Sequence, residues 1–272
     1  MIENQFILSD QIEGYPHPKL TKTLFGHETQ EKEFIDCYKS GKLHHGWLIT
    51  GARGIGKATL AWRLARFILT QPIKSFYENS LFGETSKQNH TELDDKSKES
   101  IETRILAESE PRLSVTRRSF DEKKKKFRSN IRVDEIRRLN SFFSLSVSDG
   151  GSRVAIIDCV DDLNINAANA LLKILEEPPK ETFFLLISHN PESLLATLRS
   201  RCRELRLTNL SENNLLSALK QINLNLPEKD KEIYSLLASG SVGNSIRLLK
   251  HDGANLYSSI LSFLNQLPNL KG

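Results

Sequence analysis

Gly46-Trp47-Leu48-Ile49-Thr50-Gly51-Ala52-Arg53-Gly54-Ile55-Gly56-Lys57-Ala58 joins three signals in one run. Gly46 to Thr50 reads as a short buried strand. Gly51 to Gly56 is a glycine-rich turn, and Lys57 to Leu69 carries the apolar spacing of a helix. Strand, glycine turn and helix in that order form a phosphate cradle. Glycines let backbone N–H groups turn inward, the helix presents its positive end, and a lysine reaches the outer phosphates. Gly51, Gly54, Gly56 and Lys57 fit the pattern GxxxxGK[ST] up to its last position. There Ala58 replaces the hydroxyl that normally ligates Mg²⁺. Thr59 follows one residue late, about 100° around the helix, and does not simply replace it. Two readings stay open: a retained loop shape without nucleotide chemistry, or nucleotide bound without turnover.

Working outward, Val154 to Ile157 is a second apolar strand, and it ends in Asp158, where a Mg²⁺-coordinating carboxylate belongs. The next residue is Cys159, where a water-activating acid is needed, and a thiol substitutes poorly for it. Asp161 and Asp162 follow beyond the strand as loop acids or helix caps. Thr182 to Ser188 and Arg203 to Leu207 read as further strands. Helices are expected over 28–38, from Asp134 as cap, over 166–177 before Pro178 and Pro179, and over 192–198. After Leu207 only helical patterns remain, at 212–222, 229–238, 242–249 and 254–267. Strands alternating with helices and then helices alone imply an α/β domain with a parallel sheet, followed by a small helical domain. The divisions fall at 1–207, 208–252 and 253–272.

Between these elements the polar insertion at 71–110, and Asn79 to Ser100 in particular, reads as a long loop. Leu113 to Val115 and Ile131 to Val133 flank Lys123 to Lys126, which suggests an extended pair with a solvated, charged tip. A phosphate contact at that tip is only weakly signalled.

Lys and Arg outnumber Asp and Glu by 38 to 34. That excess permits contact with nucleic acid but does not argue for a dedicated DNA-binding surface. Cys37, Cys159 and Cys202 stand far apart, which fits a reducing cytosol. None lies between Leu69 and Cys159, so no zinc is expected. The first residues lack a signal-peptide pattern and no run is long and apolar enough to span a membrane, so a cytoplasmic location and no membrane partner are expected.

Taken together, Gly51 to Lys57, Asp158, Asn166 to Pro179 (NAANALLKILEEPP) and Leu198 to Cys202 (LRSRC) resemble the bacterial clamp-loader subunits of DNA polymerase III. The likeness runs from about Leu24 to Leu249, and the degraded phosphate motifs are similar to those of its delta-prime branch rather than the ATP-hydrolysing gamma/tau branch. The resemblance implies a RecA-like AAA+ P-loop domain, a small helical lid and a helical collar, of which 253–272 supply only a truncated beginning. It implies that Arg201 enters a neighbouring subunit's ATP site as an arginine finger, worth roughly 10³–10⁵ in rate. It implies that Arg247, in the lid, reaches a phosphate in its own site or pairs with an interface acid. His189 or Asn190 falls at the position that senses nucleotide at a strand end, or serves a plain turn. The implied partners are gamma/tau and delta subunits, the sliding clamp, and primer-template DNA through the assembled complex. The site residues would be Gly51, Gly54, Gly56, Lys57, Thr59, Asp158 and Arg247, holding ATP/Mg²⁺ weakly with little intrinsic hydrolysis.

Two other functions compete. An autonomous AAA+ ATPase must tolerate both Ala58 and Cys159. A P-loop nucleoside kinase gives no role to the NAANALLK helix or to the Ser200-Arg201-Cys202 run.

Overall fold

Strands buried on both faces need apolar side chains at every position, and that requirement organises the chain around Gly46–Thr50, buried throughout. The computed structural model describes residues 8–21, 23–71, 92–144, 151–224, 226 and 231–266, with backbone alone for 92–97. The described elements begin with α1 (Glu28–Lys39), β1 (Gly46–Thr50), α2 (Lys57–Thr70), α3 (Glu92–Leu106) and β2 (Leu113–Thr116). Next come β3 (Phe120–Asp121), β4 (Lys126–Phe127), α4 (Val133–Ser144), β5 (Arg153–Asp158), α5 (Ile165–Glu176) and β6 (Thr182–Ile187). The chain continues through α6 (Ala196–Arg199), β7 (Arg203–Arg206), α7 (Glu212–Gln221), α8 (Lys231–Ala238), α9 (Val242–Lys250) and α10 (Gly253–Gln266).

Five strands form one parallel sheet in the order β2-β5-β6-β1-β7. Helices cover both faces. Trp47 and Ile49 point to the side of α1, α2 and α3, where they pack with Phe34, Leu60, Leu64 and Ile105. Leu48, between them, points to the other side and joins Ile136, Leu171 and Leu198. In α5 the buried Ala167, Leu171, Ile174 and Leu175 recur at helical spacing, and Asn164 Oδ1 caps the helix by accepting from Ala167 N at 2.8 Å. A parallel sheet between helical layers, with a phosphate loop after its first strand, is the RecA-like α/β arrangement expected.

Helices α7 to α9 gather a third, separate core around Leu215, Leu219, Tyr234 and Ala238, which Ala254 of α10 also joins. Beyond Ala254, α10 leaves Leu256, Ile260, Phe263 and Leu264 exposed. Among the described residues no helix is long and apolar enough to cross a membrane.

Four local expectations are corrected. Residues 92–106 are a helix, not a loop; Ile105 is fully buried and Ile101 packs on the same core, which fixes the segment against α2. The rest of the expected insertion, 72–91, lies outside the described residues, as do 267–272. Leu113–Val115 does not pair with Ile131–Val133. It is an edge strand that runs parallel to β5, while Ile131 bridges to Leu163. The lysine-tipped hairpin is the shorter β3–β4 pair between them, with Phe120 edge-on to Phe127. Asp134 does not cap α4. It sits in the first turn and pairs with Arg137, while Glu135 accepts from Arg132 N at 2.8 Å, three residues back. Finally, 192–198 is not one helix but a 3-10 turn (Pro191–Ser193) followed by the short α6.

Candidate functional site

The loop 51–56 leaves β1 at the carboxyl end of the sheet, where the strand order places ligands in such folds. Gly51 (φ 138°), Gly54 (φ 79°) and Gly56 (φ 110°) hold conformations that side chains rarely adopt. A Cβ on Gly51 would meet Leu207 O at 2.5 Å, and one on Gly54 would meet Ser241 Oγ at 2.6 Å. Buried His27 steadies the loop, its Nε2 lying 2.8 Å from Ile55 O. From the helical layer, Gly243 N donates to Gly54 O (3.1 Å) and Ser241 Oγ to Arg53 O (2.8 Å), so α9 docks directly on the phosphate loop.

Between them opens a cavity of about 310 Å³. Lys57 is 3% exposed and turns its Nζ to Gly51 O (2.7 Å) and Ala52 O (2.5 Å). Burial lowers its pKa to about 8, against the opposing pull of Cys159, Asp158 and Asp161. Ala58 and Thr59 both line the cavity, and so does Asp158. Burial, with Asp10 nearby, raises the Asp158 carboxyl to about 7. Arg247 reaches the same space, with Nη1 donating to Asn244 Oδ1 at 3.2 Å. No acid pairs with it among the described residues.

Cys159 is buried, and burial pushes its thiol well up; its Sγ donates to Asp161 Oδ2 at 2.6 Å. Asp161 also accepts from Ser188 Oγ (2.7 Å), His189 N (2.7 Å) and Asn190 N (3.2 Å). These bonds outweigh the opposing effect of its burial and hold the Asp161 carboxyl below its usual range. Asp161 is therefore neither a helix cap nor a free loop acid. It ties the end of β5 to the end of β6, a role without a sequence signature because its partners lie 27 to 29 residues away. His189 lines the cavity, whereas Asn190 is exposed outside it. Burial and the cations Lys57, Arg53 and Arg247 drive the His189 imidazole down to about 4.

Sequence reasoning also missed the segment before α1. Ile12, Tyr15 and Leu24 form an apolar wall of the cavity. The segment is anchored by Asp10, which meets His17 Nε2 at 2.9 Å and Arg117 Nη1 at 3.1 Å. Prolines and irregular spacing gave no periodic signal there.

Arg201 belongs to none of this. It precedes β7, whose Arg203 is in register with Trp47 near the start of β1, whereas the loop leaves the far end of β1. Five strand residues span about 16 Å. Arg201 Nη2 pairs with Glu176 Oε1 (2.6 Å) and Nη1 donates to Thr197 O (2.8 Å). The side chain is 33% exposed, at the end of the strands opposite its own phosphate loop.

Residues 26–211 match the model of the family described as DNA polymerase III, delta subunit. The chain is 30% identical over 238 residues to DNA polymerase III subunit gamma of Buchnera aphidicola subsp. Schizaphis graminum, covering 86% of this chain and 58% of that one. It is 35% identical over 158 residues to DNA polymerase III subunit delta' of Pseudomonas aeruginosa, covering 58% and 41%. The chain thus spans about half the length of the curated relatives it matches. Among solved structures, the RuvB Holliday junction branch migration motor of Thermotoga maritima is similar at 17% identity and a TM-score of 0.49, covering 86% of this chain and 65% of that one.

Proposed function

The chain belongs to the DNA polymerase III delta subunit family, and from that membership we propose that it acts as a delta-prime-type subunit of the cytoplasmic clamp loader, completing a neighbour's ATP site instead of running its own. Its partners would be gamma/tau and delta subunits, the sliding clamp, and primer-template DNA through the complex. The observation that carries this reading is a double loss in an intact scaffold. Ala58 offers no hydroxyl to a metal, and the residue after Asp158 is a thiol already donated to Asp161. Without a metal ligand and a water-activating acid, hydrolysis has neither charge neutralisation nor a positioned nucleophile.

The phosphate loop keeps the shape and charge to hold a nucleotide through Gly51, Gly54, Gly56, Lys57, Thr59 and Arg247. Mg²⁺ fits poorly: it demands near-octahedral oxygen ligands, and Asp158 is the one acid of the cavity not already hydrogen-bonded or ion-paired among the described residues. The mechanistic work falls to Arg201. A guanidinium brought to a neighbour's γ-phosphate neutralises charge as it develops in the transition state. Arg201 is suited to this by its exposure, its distance from its own loop, and a single ion pair to Glu176 that a stronger anion can replace.

The test is ATP hydrolysis by the isolated chain and by a complex reconstituted with gamma/tau, delta, clamp and primed DNA. The isolated chain is expected to be inactive. Arg201→Ala is expected to slow the site it serves by about 10³-fold or more. Robust turnover by the isolated chain, or an unchanged rate in the mutant complex, would mean the chain is a motor in its own right.

A further inference from the structure

The cavity at the end of β1 carries a charge imbalance that the role of Arg201 does not use. Four cations line it, Arg53, Lys57, Arg118 and Arg247, and three acids, Asp10, Asp158 and Asp162. Two of the acids are occupied: Asp10 by His17 and Arg117, and Asp162 by Arg118 at 3.1 Å. Asp158 is left to share the cavity with three cations: Lys57, which acts on it directly, Arg53 and Arg247. None of those three has an ion-pair partner among the described residues. Lys57 bonds only backbone carbonyls, and Arg247 an amide oxygen. Their mutual repulsion is felt: burial first, and then Arg53, lowers the proton affinity of Arg247, and Arg53 acts on Lys57 in the same direction. Uncompensated cations around inward-facing backbone N–H groups make an anion site.

The donors for a metal at that site are correspondingly poor. Ala58 has no side-chain oxygen, Asp161 is saturated by four donors, and Asp10 and Asp162 are already paired, which leaves one carboxylate, Asp158, and the hydroxyl of Thr59. Extending the reading of this site as one that does not turn over, we propose that it binds a nucleoside polyphosphate without a divalent cation, Arg53, Lys57 and Arg247 supplying the positive charge a metal would bring. Phosphate oxygens would replace the carbonyls of Gly51 and Ala52 as acceptors from Lys57 Nζ. The base would lie against the apolar part of the lining, Ile12, Tyr15 and Leu24 with Ile222 and Ile246 of the helical layer. The volume of about 310 Å³ is at the small end of ordinary ligand sites, and two of its walls are contributed by segments outside the sheet domain's core.

The consequence is an inverted metal dependence. Mg²⁺ withdraws free nucleotide into a complex for which this site offers only one unpaired carboxylate, Asp158, so added metal weakens binding by mass action. The test is isothermal titration calorimetry of the full chain with ATP, ADP and inorganic tripolyphosphate, in excess EDTA and in excess MgCl₂. ATP and ADP are expected to bind in EDTA and several-fold more weakly in MgCl₂. Tripolyphosphate, lacking a base, should bind at least about tenfold more weakly than ATP. Arg247→Ala and Arg53→Ala should each weaken ATP binding about tenfold, the loss expected for a charge-assisted contact; Arg53 is exposed, so its substitution leaves the fold intact. Binding that requires or is tightened by Mg²⁺ overturns the proposal. So does the absence of binding in both buffers, wild-type affinity in both arginine variants, or tripolyphosphate matching ATP. Because this readout is binding by the isolated chain, its failure is separable from failure of the Arg201 reading, which appears only in hydrolysis by the complex.

Discussion

Cys159 and Asp161 show how the meaning of a residue depends on its neighbours. From sequence, Cys159 is a vacancy in a catalytic pattern; in the fold its thiol is bound to Asp161, whose carboxylate organises the turn after β6. His189 sits in that turn with Nδ1 buried and unbonded among the described residues, under a field of three cations. Its folded pKa of about 4 lies below the unfolded value near 6.5. Between those values the unfolded chain binds the extra proton, so stability from this group is present at neutral pH and lost as pH falls from about 6.5 to 4. The loss is bounded at roughly 3 kcal/mol. Denaturant titrations at pH 7 and pH 5 should show wild type losing stability that His189→Gln retains; equal losses in both would remove His189 from the account.

Among the elements, α2 and α5 were legible because both bury a regular apolar stripe and carry punctuation at their ends, Gly56 before one and Pro178 after the other. Helix α3 was not, because its contact with the core runs through Ile101 and Ile105 late in a polar stretch. The edge strand β2 was recognised as extended but given the wrong partner, since local sequence favours a neighbour across a turn while β5 lies about forty residues on. Helix α9 depends on one side chain twice over. Ser241 Oγ accepts from Asn244 N as the N-cap and donates to Arg53 O in the phosphate loop. Ser241→Ala should cost about 1 kcal/mol at the cap alone. Native-state hydrogen exchange at Asn244 to Ile246 should then accelerate about fivefold or more, with β1 unaffected; unchanged exchange would mean the cap carries no part of the docking.

At the scale of the whole molecule, the described residues form two cores on the parallel sheet and a third within α7 to α9. The third core meets the first domain through hydrogen bonds at Gly54 and Arg53 and through the walls of the cavity. Leu215 is fully buried in it. Leu215→Ala should destabilise that core by about 2–5 kcal/mol. Exchange should rise through α7, α8 and α9 while the strands of the parallel sheet keep their protection; simultaneous loss in both would show a single cooperative unit.

A family resemblance suggested the finger at Arg201; by itself the sequence determined the phosphate loop, the alternation of most strands with helices, and the missing hydroxyl and acid. Those properties are written in local spacing and side-chain chemistry. The tertiary structure decided which charges share a cavity, that the segment around Ile12 and Tyr15 walls it, that Asp161 joins two strand ends, and that Arg201 faces away from its own site. Each of those depends on strand order and on contacts between residues tens to nearly two hundred positions apart, and no local pattern encodes such distances.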